Sequence, residues 1–270
     1  MEEFHMKIDG HIHSPYCPHG SNDTFVSYIE TAISQSFTHI SFTEHAPLPK
    51  GFDDPTPDKD SGMAPHLLPL YLQELRELKE RYKDQITIQI GLEVDYIVGF
   101  EQETTAFLNE FGPYLDDAIL SVHFLQFEGK YCCVDFSTEE FLSFSEKVGS
   151  VQGVYDLYYE TVHKSIATDL GPYKPTRIGH PTLVHKFQLA HGEQIDDEQQ
   201  VKAVLLAMAE RNYTLDFNSA GLSKKYCQES YPPLSYLDFV KSIGLRYTFG
   251  SDAHTAHDLH QHYDKLMPTR

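Results

Sequence analysis

Residues 86–94, Ile-Thr-Ile-Gln-Ile-Gly-Leu-Glu-Val, form the longest of seven short runs that are rich in strand-favouring side chains. A longer amphipathic or polar stretch follows each run, which is typical of βα units around a parallel sheet. The predicted strands are Met6–His11, His39–Thr43, Ile86–Val94, Ala118–His123, Thr176–His180, Thr214–Asn218 and Arg246–Asp252. The pattern predicts an α/β fold that either closes as a barrel or stays an open sheet.

Two of the intervening stretches show the clearest helical spacing of apolar side chains. These side chains are Leu67, Leu70, Tyr71, Leu75 and Leu78 in one stretch, and Val201, Val204, Leu205 and Met208 in the other. The segment from Pro47 to Pro69 is the one long candidate loop, and no shift in composition marks a second domain. We therefore expect residues 1–270 to form a single domain.

Histidines and acids lie at or near the ends of six of the seven predicted strands. They are His11 with His13, His45, Glu93, His123, His180, and Asp252 with His254. Because the carboxyl ends of parallel strands form one face, these side chains are expected to converge on one small volume. A barrel brings them closest together, and so the position of the polar residues favours a barrel.

Imidazole and carboxylate are ligands that divalent zinc, manganese and iron accept. Alternate side chains of a strand share a face, so His11 and His13 can reach the same ion. Asp252 and His254 have the same spacing near the other end of the chain. The residue types and their spacing together predict a metal site.

The set holds more ligands than one ion uses, which indicates two or three ions. Glu93 is placed to bridge two of them. His19 follows just beyond the first strand, where it can complete a further ion with His45 and His254.

The charge of the chain limits its partners. Its 40 acidic and 21 basic side chains give a formal net charge of -19, which argues against nucleic acid or an anionic membrane. An anionic substrate must therefore meet locally positive charge.

The four cysteines, Cys17, Cys132, Cys133 and Cys227, form no evident disulfide framework, and no segment is apolar enough to span a bilayer. We expect a soluble, cytoplasmic protein.

Other catalytic patterns find little support. No Gly-x-Ser-x-Gly elbow, dinucleotide fingerprint or phosphate-binding Gly-x-x-x-x-Gly-Lys-Ser/Thr loop occurs in the chain. Cys17 lies in a Tyr-Cys-Pro turn near His19, where a cysteine is more typically a small packed side chain than a nucleophile.

The ordered motifs resemble those of the polymerase-and-histidinol-phosphatase (PHP) superfamily. They are His11-Ile-His13, Thr43-Glu44-His45, Gly91-Leu92-Glu93, Val122-His123, Ile178-Gly179-His180 and Gly250-Ser251-Asp252-Ala253-His254. More narrowly, Cys17-Pro18-His19-Gly20, Gly91-Leu92-Glu93-Val94-Asp95-Tyr96 and Asn218-Ser219-Ala220-Gly221-Leu222 are similar to the monofunctional histidinol-phosphate phosphatases of histidine biosynthesis.

This resemblance implies a distorted (β/α)7 barrel with three divalent ions, zinc, manganese or iron, that hydrolyses L-histidinol phosphate to L-histidinol and phosphate. By the same resemblance, His11, His13, Glu93 and Asp252 hold the first ion. Glu93, His123 and His180 hold the second. His19, His45 and His254 hold the third.

The substrate side departs from the family pattern at one position. Some relatives carry an arginine suited to phosphate where this chain has Ser223, followed by Lys224 and Lys225. A lysine can replace that arginine only as a point charge. We expect Arg177 to bind phosphate, and Asn218 and Glu229 to meet the ammonium or imidazole of the substrate.

The predicted mechanism is in-line attack on phosphorus by a hydroxide that bridges two ions, with Arg177 on the nonbridging oxygens. Asp252 positions or deprotonates the water, and His254 or His45 lies near the phosphate.

Three alternative functions remain open. One is another PHP-type hydrolase acting on phosphodiesters, nucleotides or sugar phosphates, and the second is an amidohydrolase. The third is a noncatalytic metal-binding module.

Overall fold

Seven of the nine strands within residues 6–268 form one parallel sheet. The protein is represented by a computed structural model that describes residues 6–268. The strands are β1 (Ile8–Ile12), β2 (His39–His45), β3 (Thr87–Asp95), β4 (Asp117–Ser121), β5 (Phe124–Phe127), β6 (Lys130–Cys133), β7 (Arg177–Ile178), β8 (Thr214–Asn218) and β9 (Arg246–Gly250). The order in the sheet is β1-β2-β3-β4-β7-β8-β9, and β5 pairs with β6 in a separate antiparallel hairpin. The sequence pattern did not predict this hairpin.

The first and last strands of the sheet meet, so the sheet curls into a nearly closed barrel. Ile12 forms a parallel bridge with Ala253. The backbone N–H of His13 donates to the Ala253 carbonyl at 3.0 Å, and that of Asp252 donates to the His11 carbonyl at 2.8 Å. The expected barrel of seven strands is therefore confirmed.

The connecting segments carry nine α-helices within residues 6–268. They are α1 (Phe25–Ser34), α2 (Leu68–Tyr82), α3 (Glu101–Phe111), α4 (Thr138–Val148), α5 (Val151–Ala167), α6 (Gln188–His191), α7 (Glu198–Glu210), α8 (Leu237–Ser242) and α9 (Tyr263–Leu266). Several begin at capping side chains. The Thr24 hydroxyl accepts a hydrogen bond from the backbone N–H of Ser27 in α1, and Ser150 does the same for Gly153 in α5.

The predicted helical faces need one correction. The face of α7 is buried as expected. In α2, however, Leu70 is 53% exposed, and the buried face includes Leu68 and Leu72 instead. The predicted loop also ends earlier than expected, because Pro69 lies in the first turn of α2, where its missing N–H costs no hydrogen bond.

Most of the buried apolar side chains form one connected cluster that runs from Ile12 on β1 to Leu266 on α9. Single-domain organisation over residues 1–270 stays a prediction. Within residues 6–268, every helix is too short or too polar to cross a bilayer.

Candidate metal centre

The carboxyl ends of the barrel strands bring the predicted ligands together at the floor of a cavity of about 610 Å³, which all of them line except the buried His11 and His13. His11 lies on β1 and His13 directly after it, whereas His45 ends β2 and Glu93 lies near the end of β3. His123, His180 and Asp252 each follow two residues after β4, β7 and β9, and His254 two residues later still. The rule that parallel strands share one functional face accounts for this convergence.

Glu93 lies at the centre of the cluster, and its two oxygens face different histidines. Oε2 is 3.5 Å from His11 Nε2, 3.7 Å from His13 Nε2 and 3.1 Å from His45 Nδ1. Oε1 is 2.8 Å from His180 Nε2 and 3.8 Å from His123 Nε2. This arrangement suits a carboxylate that bridges two cations.

Three groups of donor atoms, each with all members within 4.8 Å of one another, are suited to hold an ion. They are His11, His13 and Glu93; then Glu93, His123 and His180; then His13, Cys17, His45 and His254. The second group contains the residues expected for the second ion. Asp252 lies beside the first group, since its Oδ1 is 3.0 Å from His13 Nε2.

The third group differs from the expected set of His19, His45 and His254. The His19 ring is exposed, with its centroid 5.0 Å from that of His45 and 5.2 Å from that of His254. In its place the group contains His13 and the Cys17 thiol, which the sequence pattern suggested to be a packed side chain. Cys17 is indeed buried, and burial raises the pKa of its thiol.

Five of the imidazoles are oriented by a hydrogen bond at Nδ1, three of them with a carboxylate and two with a backbone carbonyl. His11 is hydrogen-bonded to Asp216 at 2.8 Å, His13 to Glu44 at 3.2 Å, and His123 to Asp95 at 2.8 Å. The carbonyls of Asp60 and Asp252 are the partners of His19 and His254. When Nδ1 donates its hydrogen to an oxygen, Nε2 presents a lone pair. This is the usual arrangement behind histidines that bind metal.

The sequence pattern missed Glu44 and Asp95 as orienting carboxylates. One signal was available for Asp95: it stands two residues after Glu93, and alternate residues of a strand share a face. Glu44 stands next to His45 and gives no comparable signal, because its role depends on a contact with β1.

The protonation preferences fit a cation site. Burial by itself favours the neutral carboxyl of Glu93, but the charges of His11 and His123 outweigh it and hold the pKa of Glu93 well below its usual range. Burial likewise opposes the charge of His13, yet hydrogen bonds with Asp252 and Glu44 raise its pKa to about 9. The histidine nitrogens therefore attract protons, and metal ions compete with protons for the same lone pairs.

The donor set also contains buried nitrogen atoms without a partner. His11 Nε2 and His45 Nδ1 are both buried and make no hydrogen bond within the described residues. An unpaired buried polar atom is costly, and a bound cation removes that cost. The side chains present therefore fit divalent ions, and we conclude that this cluster is a metal-binding site.

Arg177 does not lie where the sequence pattern suggested, and this corrects its expected role. Its Nη2 donates to Asp117 Oδ2 at 2.6 Å and to the Gly10 carbonyl at 2.7 Å. It lines a different cavity of about 460 Å³, together with Thr214 and Thr248 from the starts and middles of their strands. A guanidinium held inside the barrel by these partners is not available to a phosphate above the histidines.

Replacing Arg177 should therefore affect stability more than substrate binding. We expect Arg177→Met to lower the free energy of unfolding by about 3 kcal/mol, because it leaves Asp117 without its partner. KM should change less than about twofold. Urea unfolding and steady-state kinetics check this, with Lys79→Met as the control. Lys79 pairs with Asp116 at an exposed position, where about 1 kcal/mol or less is expected.

Of the other expected substrate contacts, only Lys224 lines the cavity above the ligands. The Lys225 ammonium lies over the Tyr226 ring. Asn218 is buried, and its Nδ2 donates to Asp216 Oδ2 and Asp252 Oδ2, both at 3.1 Å. It therefore contacts the ligand set and its supports. Glu229 is bonded to His185.

The sequence pattern also missed Lys186 and Asp135. Both line the cavity, and Lys186 Nζ donates to Asp135 Oδ2 at 2.8 Å. Lys186 lies on a short 3-10 helix, Leu183–Phe187, six residues after His180. No periodic pattern or motif connects such a position with the strand ends, and so the sequence alone offers no signal for it.

Comparisons with known proteins agree with this geometry. The family model described as PHP domain matches residues 9–220. The histidinol-phosphatase of Bacillus subtilis (strain 168) is 46% identical over 264 residues, which cover 97% of this chain and 98% of that protein.

Two solved structures are similar in fold. A crystal structure of a protein from Listeria monocytogenes has a TM-score of 0.90 and 37% identity, covering 96% of this chain and 99% of that one. Histidinol phosphate phosphatase from Lactococcus lactis, solved with zinc, L-histidinol and phosphate, has a TM-score of 0.70 and 22% identity, covering 96% and 92%. Because the PHP domain model matches residues 9–220, and because the barrel and the converged ligands agree with that match, this chain belongs to the PHP domain family.

Proposed function

We propose that this chain is a metal-dependent phosphomonoesterase that hydrolyses L-histidinol phosphate to L-histidinol and phosphate in histidine biosynthesis. The observation that carries the proposal is Glu93, whose two oxygens face two histidine groups at the floor of an open cavity. The full-length identity of 46% to a histidinol-phosphatase supports the choice of substrate.

We infer that the cluster holds three divalent ions, of zinc, manganese or iron, one for each donor group. Such ions supply positive charge for the phosphoryl oxygens and for deprotonation of the attacking water. Glu93 holds two of them in place. Asp252 faces the cavity with its side chain 15% exposed, which places it to orient the attacking water.

His45 and His254 remain candidates for contact with the phosphate, since both line the cavity. Burial and the nearby charge of His13 hold the pKa values of both imidazoles well below the usual range. Neutral imidazoles are suited to bind a metal or to accept a proton, and so we assign neither of them the role of resting-state acid.

The locally positive charge that an acidic chain needs for a phosphate is supplied by lysine. Lys186 and Lys224 both line the cavity, and Lys186 is 22% exposed on its side chain. Asp135, its partner, also lines the cavity and offers a carboxylate to the ammonium of the substrate. Burial disfavours the charge of Asp135, but Lys186 outweighs that effect and lowers its pKa.

Replacing Lys186 should weaken substrate recognition. We expect Lys186→Met to lower kcat/KM about 30-fold, because a charge-assisted hydrogen bond to phosphate is lost. Steady-state kinetics check this, and Lys225→Met is the control, since Lys225 packs against Tyr226. Equal kinetics for both variants would remove Lys186 from the phosphate site.

The decisive experiment measures turnover of histidinol phosphate beside a panel of other esters, with metal analysis on the same sample. The panel contains a dinucleotide, a sugar phosphate, a nucleotide and an aryl phosphate. Preference for histidinol phosphate by orders of magnitude supports the proposal. Preference for the dinucleotide, the nucleotide or the sugar phosphate would instead identify another PHP-type hydrolase, and bound metal without any turnover would favour a binding module.

We also propose a cytoplasmic, reducing location. All four cysteines, Cys17, Cys132, Cys133 and Cys227, are free thiols. Free and buried thiols are typical of proteins kept under reducing conditions.

A further inference from the structure

Two stretches beside the metal cluster carry the lysines that line the cavity. The 183–191 stretch consists of the 3-10 helix and α6, and it contributes Lys186. The 219–231 loop follows β8 and contributes Lys224 and Tyr231. The relative position of the two stretches therefore decides how the two ammonium groups are presented.

His185 connects these stretches through a buried charged contact. Its Nδ1 lies 2.5 Å from Glu229 Oε1 in the loop, and its Nε2 lies 2.6 Å from Asp197 Oδ2 just before α7. Ionised carboxylates only accept hydrogen bonds, so both ring nitrogens carry hydrogen and the ring is an imidazolium. Burial opposes this charge, but the hydrogen bonds with Asp197 and Glu229 raise the pKa of His185 to about 9.

Asp197 anchors this contact to the outer helices. The Tyr159 hydroxyl on α5 donates to the same Asp197 oxygen and also lies 3.0 Å from His185 Nε2. The His185 side chain is 8% exposed, and that of Asp197 is 11% exposed. A charged pair at this depth is screened little by solvent.

Two neutral hydrogen bonds run alongside the charged one. The backbone N–H of Leu189 donates to the Tyr226 carbonyl at 2.9 Å, and Gln188 Nε2 donates to the Cys227 carbonyl at 2.8 Å. Within the loop, the backbone N–H of Gln228 donates to the Gly221 carbonyl at 3.0 Å. A side chain at Gly221 would collide with the Glu229 carbonyl, so the two halves of the loop lie in direct contact.

We propose that His185 is a positioning residue. By holding Glu229, it fixes the 219–231 loop on the 183–191 stretch, so that Lys224 and Lys186 line the same cavity in a defined arrangement. The inference rests on the proposed function only for the identity of the phosphate ester that the lysines receive.

The test uses Glu229→Gln and His185→Gln in the full-length, metal-loaded protein. Loss of the negative charge at position 229, or of the imidazolium that holds Glu229, should raise KM for histidinol phosphate, and the inhibition constant of inorganic phosphate, about tenfold while kcat stays within about twofold. Amide hydrogen exchange in the 219–231 loop should quicken about tenfold, with β1, β3 and β9 unchanged. His191→Gln is the matched control, because His191 on α6 lies 3.3 Å from Tyr155 and makes no contact with Glu229.

Unchanged exchange in the loop for both variants would overturn the proposal. A fall of kcat as large as the rise of KM would also overturn it, and so would loss of bound metal, because either result means a general structural role. If His185→Gln does not fold, Glu229→Gln decides, since it keeps the shape of a partly exposed side chain. Exchange and phosphate inhibition need no knowledge of the organic substrate, so failure of the proposed function on histidinol phosphate is recognised separately.

Discussion

Glu93→Gln is expected to lower kcat/KM for histidinol phosphate by roughly 10³-fold or more. The amide keeps the volume of the carboxylate but loses its negative charge and one acceptor oxygen. Both oxygens of Glu93 face histidine nitrogens, so two donor groups lose their shared anion at once. The variant should also retain less metal in elemental analysis.

The control for this change is Glu103→Gln, the same substitution at an exposed position on α3. Its turnover and metal content should match those of the unmodified protein. Far-UV circular dichroism on both variants establishes that the barrel is intact. A Glu93→Gln enzyme with normal turnover and full metal content would exclude the bridging role.

Removing the metal ions by chelation should reduce turnover to the level of the uncatalysed reaction. It should also lower Tm, because ions that bind only the folded chain stabilise it, by about 4 kcal/mol per site at a thousandfold excess over Kd. Without an ion, the buried His11 Nε2 and His45 Nδ1 have no hydrogen-bond partner. Activity assays and calorimetry before and after chelation measure both effects.

Chelator already saturated with zinc serves as the control, since it should leave activity and Tm unchanged. Returning zinc, manganese or ferrous iron separately to the metal-free protein then identifies which ion restores turnover. Full activity in protein that elemental analysis shows to be free of metal would contradict the metal-dependent mechanism.

The metal cluster was predictable from sequence because it depends on two local rules. Alternate residues of a strand share a face, and the ends of parallel strands share an edge. These rules place His11 beside His13, and Glu93 beside both, without knowledge of any distance. They require only that the seven strands are recognised and that they run parallel.

Arg177 shows where such reasoning fails. It stands three residues before His180, which looks close in sequence. In a strand, however, three residues correspond to about 10 Å along the strand. The guanidinium therefore lies below the histidines and pairs with Asp117. A prediction for Arg177 must therefore consider its position along the strand as well as its separation from His180 in sequence.

Lys186 and Glu229 show a different limit. Both lie outside the strands, and their roles depend on how a 3-10 helix and a loop pack against each other. Packing of irregular segments depends on contacts between residues far apart in the chain. The sequence contains no period or motif that specifies such contacts, and so it indicated lysine near the phosphate without identifying Lys186.

The junction of β1 with β9 has a consequence for biosynthesis of the chain. His13 and Asp252 lie 3.0 Å apart although 239 positions separate them in the chain. A chain whose translation stops before β9 keeps Glu93, His123 and His180 but lacks Asp252, which lies beside the neighbouring group, and His254, which belongs to the third. We therefore expect such a truncated chain to bind less metal than a chain that includes β9.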